Sequence, residues 1–261
     1  RSATLWIGSL VVGLGVGWLR PDPPTSLTFL SVGQGDCAVI QSAGHTVLVD
    51  VGPKSPTFDA GEMIVVPKLR QAGVHDVDLI FLTHPDEDHV GGLGALHRSF
   101  PRALVAVSSQ FRGSDQMIAR LKAGGIPLES VLWLTMSARV KVGGSVLDVD
   151  CPAWSPGEPD NEGSLFIRAT NDRCSAVLTG DAGVRTEAIE SATRVWSAQV
   201  LKAGHHGSKS ATGEGWIQAV KPLYAVISCG RGNRYGHPDA RVVERLKADG
   251  VKVLRTDELG D

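Results

Sequence analysis

The sequence predicts an α+β fold in which two sheets pack face to face with helices on their outer sides, on three observations. Short β-branched or alternating apolar runs bounded by Gly, Asp or Asn dominate the chain, helical segments fall between them, and each half carries both. The 261 residues, 42% hydrophobic and 21% charged, suffice for a large core. A formal net charge of −2 gives no global argument for a nucleic-acid partner. It does not exclude an enzyme that meets nucleic acid at a metal centre.

The elements follow in order. "TLWIGSLVVGLGVGWL" (4–19) is apolar and stops at Arg20. As a helix it reaches roughly 24 Å, short of the ~20 residues a spanning helix needs. It fits the end of a transmembrane helix, a signal-peptide core or a buried helix. The poor cleavage site in "LRPDPP" and the repeated glycines favour the membrane helix. "GLGVG" resembles a dinucleotide loop, but no strand precedes it. Because residue 1 is Arg, the chain is expected to be a piece of a longer one. Residues 1–20 are thus read as the apolar helix, 21–26 as a proline-rich linker and 27–261 as the catalytic domain.

"LTFLSV" and "CAVIQS" flank the turn "GQGD", where Gly33, Gly35 and Asp36 are expected to shape the turn and not to contact substrate. "TVLVDVG" is a third strand and "EMIVVPKLRQAG" a helix; "VDLIFLTH" is a buried strand. "RALVAVS", "VLWLTM" and "SVLDVDCP" read as strands around the helix "SDQMIARLKAGG". "SLFIRAT" and "CSAVLTGDAG" form a hairpin across "NDR". Helices at "TEAIESAT", "GWIQAVKP" and "DARVVERLKADG" alternate with strands at "AQVLKAGHHGS", "YAVISCG" and "VKVLRTD". Cys37, Cys151, Cys174 and Cys229 form no C-x-x-C pair and are expected to be small buried hydrophobes.

Chemistry concentrates at strand ends. "FLTHPDEDHVGGL" (81–93) places two histidines and three carboxylates in six consecutive positions. Like charges so close repel one another unless something positive sits among them. His84 and Asp86 can face one point while the adjacent Asp88 and His89 face a second. Carboxylate mixed with imidazole suits zinc or manganese better than a thiolate-preferring metal. Two such ions ~3.5–4 Å apart need a bridging carboxylate, for which Asp181 in "LTGD" is the candidate. "KAGHHGS" adds His205 and His206, and "GNRYGHPD" adds His237. The following G-G-L permits a tight loop into a helix.

"THPDEDHVGG", "TGDAG" and "LKAGHHGS" resemble the signature motifs of the metallo-β-lactamase superfamily. "LSVGQGDCAVIQS", "VDVG", "NEGSLFIR", "LKAGHHGS" and "GNRYGHP" more closely resemble the C-terminal hydrolase-like domain of the ComEC family, polytopic membrane proteins that take up transforming DNA. The resemblance spans about residues 27 to 257. It implies an αββα metallo-β-lactamase-like sandwich with two divalent metal ions at one edge, preceded by a membrane helix of the channel region. His84 and Asp86 would hold one metal and Asp88 and His89 the other. Asp181 would bridge them, and His205 would complete the ligand set of the second metal. The superfamily's usual third-motif histidine is missing, since only His97 lies between His89 and Asp181. Asn161, water or substrate would fill that place. Asp50 would brace the metal loop.

The expected reaction is metal-assisted phosphodiester hydrolysis of DNA, chiefly single-stranded, during uptake at the bacterial inner or plasma membrane, by a domain outside the bilayer. Asp88 would orient the attacking water, and Lys202 would neutralise a phosphate oxygen unless it is simply solvated. His206 or His237 would protonate the leaving oxygen, and His206 alternatively replaces His205 as ligand. Arg231, Arg234 and Lys209 would contact phosphates. With aromatics at 5%, no stacking platform is evident. Two other readings stand beside this one. They are a hydrolase of a small ester, amide or thioester, and a noncatalytic domain of a membrane channel.

Overall fold

The computed structural model describes residues 25–261, so the apolar segment 4–19 and most of the linker lie outside the described residues. Ser26, the last residue assigned to the linker, already opens the first strand. Among the described residues no helix is long and apolar enough to cross a membrane.

The first sheet runs in chain order: β1 (Ser26–Phe29), β2 (Ala38–Ser42), β3 (His45–Val49), β4 (Leu79–Leu82), β5 (Leu104–Ser108) and β6 (Leu132–Leu134). Its first three strands are antiparallel and the rest add in parallel. The second sheet comprises β7 (Ala138–Val142), β8 (Ser145–Asp150), β9 (Phe166–Thr170), β10 (Ser175–Leu178), β11 (Val200–Lys202), β12 (Tyr224–Ile227) and β13 (Lys252–Arg255). Strands β7 to β10 are antiparallel, and β11 to β13 continue in parallel. Each half therefore starts as a meander and ends as a parallel crossover array, which needs helices to return the chain.

Period-two alternation divides the strand residues between two cores. Ile40, Val47, Val49 and Phe81 meet Leu147, Ile167 and Leu178 between the sheets. Val39, Leu48, Ile80 and Leu82 point the other way, under helices α1 (Val66–Gln71), α3 (Leu93–Ser99) and α4 (Asp115–Ala123). The short α2 (Glu87–Val90) lies between α1 and α3 in the chain. On the far side, Phe166, Val177 and Leu201 pack on Trp196 and Trp216. Ala225 and Ile227 pack on Val242 and Leu246. Helices α5 (Val184–Thr193), α6 (Glu214–Val220) and α7 (Ala240–Ala248) cover this face, giving the αββα layering. Each Val, Leu, Ile or Phe among them, fully buried, is worth ~1.5–3 kcal/mol.

Some elements differ from expectation. The run expected at 27–32 stops pairing at Phe29. β7, "ARVKV", was not anticipated; its Ala138, Val140 and Val142 face the core and alternate with solvent-facing Arg139 and Lys141 on an edge strand that pairs only with β8. All four cysteines are free thiols; Cys37 and Cys229 are buried as expected, whereas Cys151 is half-buried and Cys174 exposed.

Parallel strands deliver their C-terminal ends to one edge, where ligands of open α/β sheets collect. Residues after β4, β10, β11 and β12 meet there. Leu165 N–H donates to the Thr83 carbonyl across the two sheets (3.1 Å), and His205 N–H donates to the Gly180 carbonyl (3.2 Å). The loop after β4 is pressed against the chain following β3. A Cβ on Gly91 would strike the backbone of Lys54 and Glu87, and one on Gly92 would strike Val51 and Gly61. Both glycines are thus required by close backbone approach. Gly92→Ala is expected to cost about 1–3 kcal/mol in urea unfolding; a variant as stable as the parent would contradict this packing.

Candidate metal centre

Asp50 organises the loop after β4. Its backbone is left-handed (φ 61°), and its buried carboxylate accepts from Thr83 N–H (2.8 Å), Thr83 Oγ1 (2.8 Å) and His89 Nδ1 (2.8 Å). A histidine that donates through Nδ1 presents the lone pair of Nε2. His89 Nε2 accordingly points to Asp181 Oδ1 at 3.2 Å. Asp50, expected to brace the metal loop, stands behind the His89 ring.

His206 has the same arrangement. Its Nδ1 lies 3.0 Å from the Ser228 carbonyl, and its Nε2 lies 3.2 Å from Asp88 Oδ2 and 3.4 Å from Asp181 Oδ2. Asp36, His89, Asp181 and His206 are all buried and place ligand-type atoms within 4.8 Å of one another. His84 adjoins them, its ring 4.1 Å from that of His89 and its Nε2 3.5 Å from Asp86 Oδ2. Among the described residues, His84 Nε2, His89 Nε2, Asp36 Oδ1 and Asp181 Oδ1 are buried without a hydrogen-bond partner. Buried polar atoms are rarely left so. Imidazole nitrogens and carboxylate oxygens gathered in this way fit a divalent cation.

The charges agree. Burial opposes ionisation of Asp181, yet His206 and His89 outweigh it and hold its pKa well below the carboxylate range. Burial likewise opposes charge on His206, but Asp181 and Asp36 raise its pKa to about 9. Asp88, against its own burial, is held at about 2 by His206 and His89. His206 requires the carboxylates beside it, and the two carboxylates require positive charge.

Lys202 supplies part of it. Expected to face a phosphate or solvent, this side chain is instead buried in an ion pair with Asp36, 3.9 Å from Asp181 Oδ1 and 3.4 Å from the Gly180 carbonyl. β11 points it inward beneath the site, so no substrate oxygen reaches it. Asp36 was expected only to shape its turn. Its amide does donate to the Asp88 carbonyl (3.1 Å), but its carboxylate sits on the Nδ1 side of His206 (3.3 Å) and His89 (3.8 Å). The aspartate of "GQGD" was the available sign, and nothing in its spacing marked it as buried.

His205 and His206 both adopt left-handed backbone (φ 47° and 53°), a cost typical of functional sites. His205 Nε2 is 3.7 Å from Asp181 Oδ2, but its side chain remains 33% exposed. The expected ligand thus lies at the mouth, and His206 occupies the buried cluster. His237 is farther out, its ring 5.9 Å from that of His205. Burial lowers the pKa of both mouth imidazoles, aided at His237 by the neighbouring histidines. Asn161 makes no hydrogen bond or ion pair with the cluster among the described residues; its carbonyl accepts from Ser164, whose hydroxyl accepts the Asp181 amide (3.2 Å). Asp160, unforeseen, is the carboxylate that feels Asp86: partial burial and that like charge raise its pKa.

Glu187 of α5 holds the far side of the histidine loop. It accepts from the amides of Thr212 (2.7 Å) and Gly213 (2.9 Å), and Thr212 Oγ1 accepts from Gly204 (3.0 Å).

Residues 30–231 match the family described as the metallo-beta-lactamase superfamily. Over 88% of its length the chain is 32% identical to ComE operon protein 3 of Bacillus subtilis (strain 168), covering 32% of that protein. It is 30% identical over 92% of its length to Competence protein ComA of Neisseria gonorrhoeae, again covering 32%. It thus spans about a third of these two curated relatives. Exodeoxyribonuclease YycJ of Bacillus anthracis is 23% identical over 63% of the chain and 60% of that protein.

Two expectations follow from the geometry. Asp50→Asn removes the anionic acceptor behind His89 and should weaken binding of Mn²⁺ or Zn²⁺ about 10–100-fold, read by competition with a chromophoric chelator; unchanged affinity would sink the bracing role. Burial raises the pKa of Glu187 from its ordinary 4.5 to about 7, so ionising it costs stability. The stability it contributes is complete below 4.5 and is lost as pH rises through about 7. Urea midpoints should fall across that window, and Glu187→Gln should flatten the fall.

Proposed function

Because the chain belongs to the metallo-beta-lactamase superfamily, we propose that it is a metal-dependent phosphodiesterase that cuts DNA, preferentially single-stranded, in the service of DNA uptake. One observation carries this reading: orphaned, buried imidazole and carboxylate atoms converge at a sheet edge bordered by loops that bear the exposed Arg231, Arg234 and Lys209. The names of two relatives, a competence protein and an exodeoxyribonuclease, support it. The upstream partner in this reading is a membrane channel region, with the domain outside the bilayer of a bacterial inner or plasma membrane.

His84 and Asp86 would hold one divalent cation, zinc or manganese. Asp88, His89 and His206 would hold a second, and Asp181 would reach both. When bound, the cations supply Lewis acidity to the phosphate oxygens and make water a better nucleophile. Asp50 and the Ser228 carbonyl fix the two imidazoles with Nε2 inward. Asp88, ionised throughout the working range, accepts a hydrogen bond from the attacking water and so orients it. His205, at the mouth beside Asp181, is placed to give a proton from Nε2 to the leaving oxygen, with His237 behind it. Arg231, Arg234 and Lys209 hold flanking phosphates. Lys202 and Asp36 stay beneath the site as a fixed ion pair.

The test is incubation of the chain with labelled single- and double-stranded DNA, with Mn²⁺, Zn²⁺ or chelator. Metal-dependent cleavage is expected, at least about a hundredfold slower in Asp181→Ala, since several kcal/mol of charge stabilisation depend on that carboxylate. No cleavage in any metal, or an Asp181→Ala variant as active as the parent, would remove the proposal.

A further inference from the structure

A line of rings leads outward from the proposed centre. His205 lies beside Asp181, the His237 ring is 5.9 Å from His205, and Tyr235 lies 5.9 Å from His237 with its plane only 14° from parallel. Tyr235 ends the line in solvent, 56% exposed. The fold gains little from an aromatic so placed, because most of its surface stays wet.

The loop that presents it is nonetheless built. Asn233 Oδ1 accepts the amides of Tyr235 (3.1 Å) and His237 (3.0 Å), and its Nδ2 donates to the carbonyls of Gly230 (2.9 Å) and His237 (2.6 Å). Gln34, two residues before Asp36, accepts the Gly230 amide through its side chain (3.1 Å). The platform is therefore tied to the turn beneath the centre. Arg234 donates to Tyr235 Oη (2.8 Å), with its guanidinium carbon 4.9 Å from the ring centroid. An aromatic ring and a guanidinium beside a phosphate-handling edge are the two surfaces on which nucleobases stack.

Resting on the phosphodiesterase reading, the geometry points to Tyr235 as a nucleobase platform. A base neighbouring the scissile phosphate stacks on the Tyr235–Arg234 pair, and the strand enters along the ring line. Bases in a duplex already stack on their neighbours, so this platform favours single strands. Tyr235 is a binding and specificity residue here, with no part in proton transfer.

The test compares a dT oligonucleotide with an abasic strand of equal length, which keeps every phosphate but no base. Fluorescence anisotropy in chelator reads binding by the full chain apart from cleavage. Wild type is expected to bind dT about tenfold more tightly than the abasic strand. Tyr235→Ala and Tyr235→Leu should lose that advantage, and Tyr235→Phe and Tyr235→Trp should keep it. The leucine variant retains bulk, so its loss cannot be assigned to a collapsed loop. A wild type indifferent to the bases, or an alanine variant that still prefers dT, would overturn the platform. Cleavage assays on the same strands separate the two ideas. Cleavage without base preference leaves the phosphodiesterase and removes the platform; base preference without cleavage in any metal does the reverse.

Discussion

Everything at the functional edge depends on one unbalanced convergence. Asp181 lies within 3.2–3.9 Å of three imidazole Nε2 atoms and a lysine ammonium, with Asp88 and Asp36 close by. The anchoring of His89 by Asp50 and of His206 by the Ser228 carbonyl turns both Nε2 atoms toward that carboxylate. Such a set is stable only around positive charge. Lys202 provides one fixed unit, and the buried atoms left without partners show where more is required.

The architecture explains how so distant a set of residues meets. In both halves an antiparallel meander turns into parallel strands. A parallel strand's end must break into a loop before the helix that follows, so β4, β10, β11 and β12 each donate a loop to one rim. Between them the sandwich core fixes the sheets against each other, and interior packing leaves little freedom to shift. Glycines 91 and 92 let the loop after β4 sit directly on the chain following β3, which seats Thr83 and His89 against Asp50.

Much of this was legible in the residues. Most strands follow from apolar periodicity, and the density of charge at 84–89 announces a cation. Asp181 and the paired histidines stand at strand ends where ligands gather. What escaped reading depends on contacts between residues far apart in the chain. The depth of Lys202 follows from which face of β11 turns inward, and Asp36 acquires its role only when β11 arrives beside it. The choice between His205 and His206 rests on two left-handed residues that send adjacent rings in different directions. β7 escaped although Ala138, Val140 and Val142 alternate inward between Arg139 and Lys141, because five residues at a sheet edge give only a short alternation. Tyr235 was invisible as a platform because composition counts aromatics and says nothing of where one ring stands.

The burial of Lys202 bears on what a chelator can do to this protein. A cation carried by a covalent tether cannot be washed away, so a chelator that removed the proposed ions would leave the ammonium seated beside Asp36 and Asp181. The empty cavity then retains an internal counterion. Loading and unloading of the proposed ions would then leave the sandwich standing, unlike small zinc modules whose chain unravels when the ion departs.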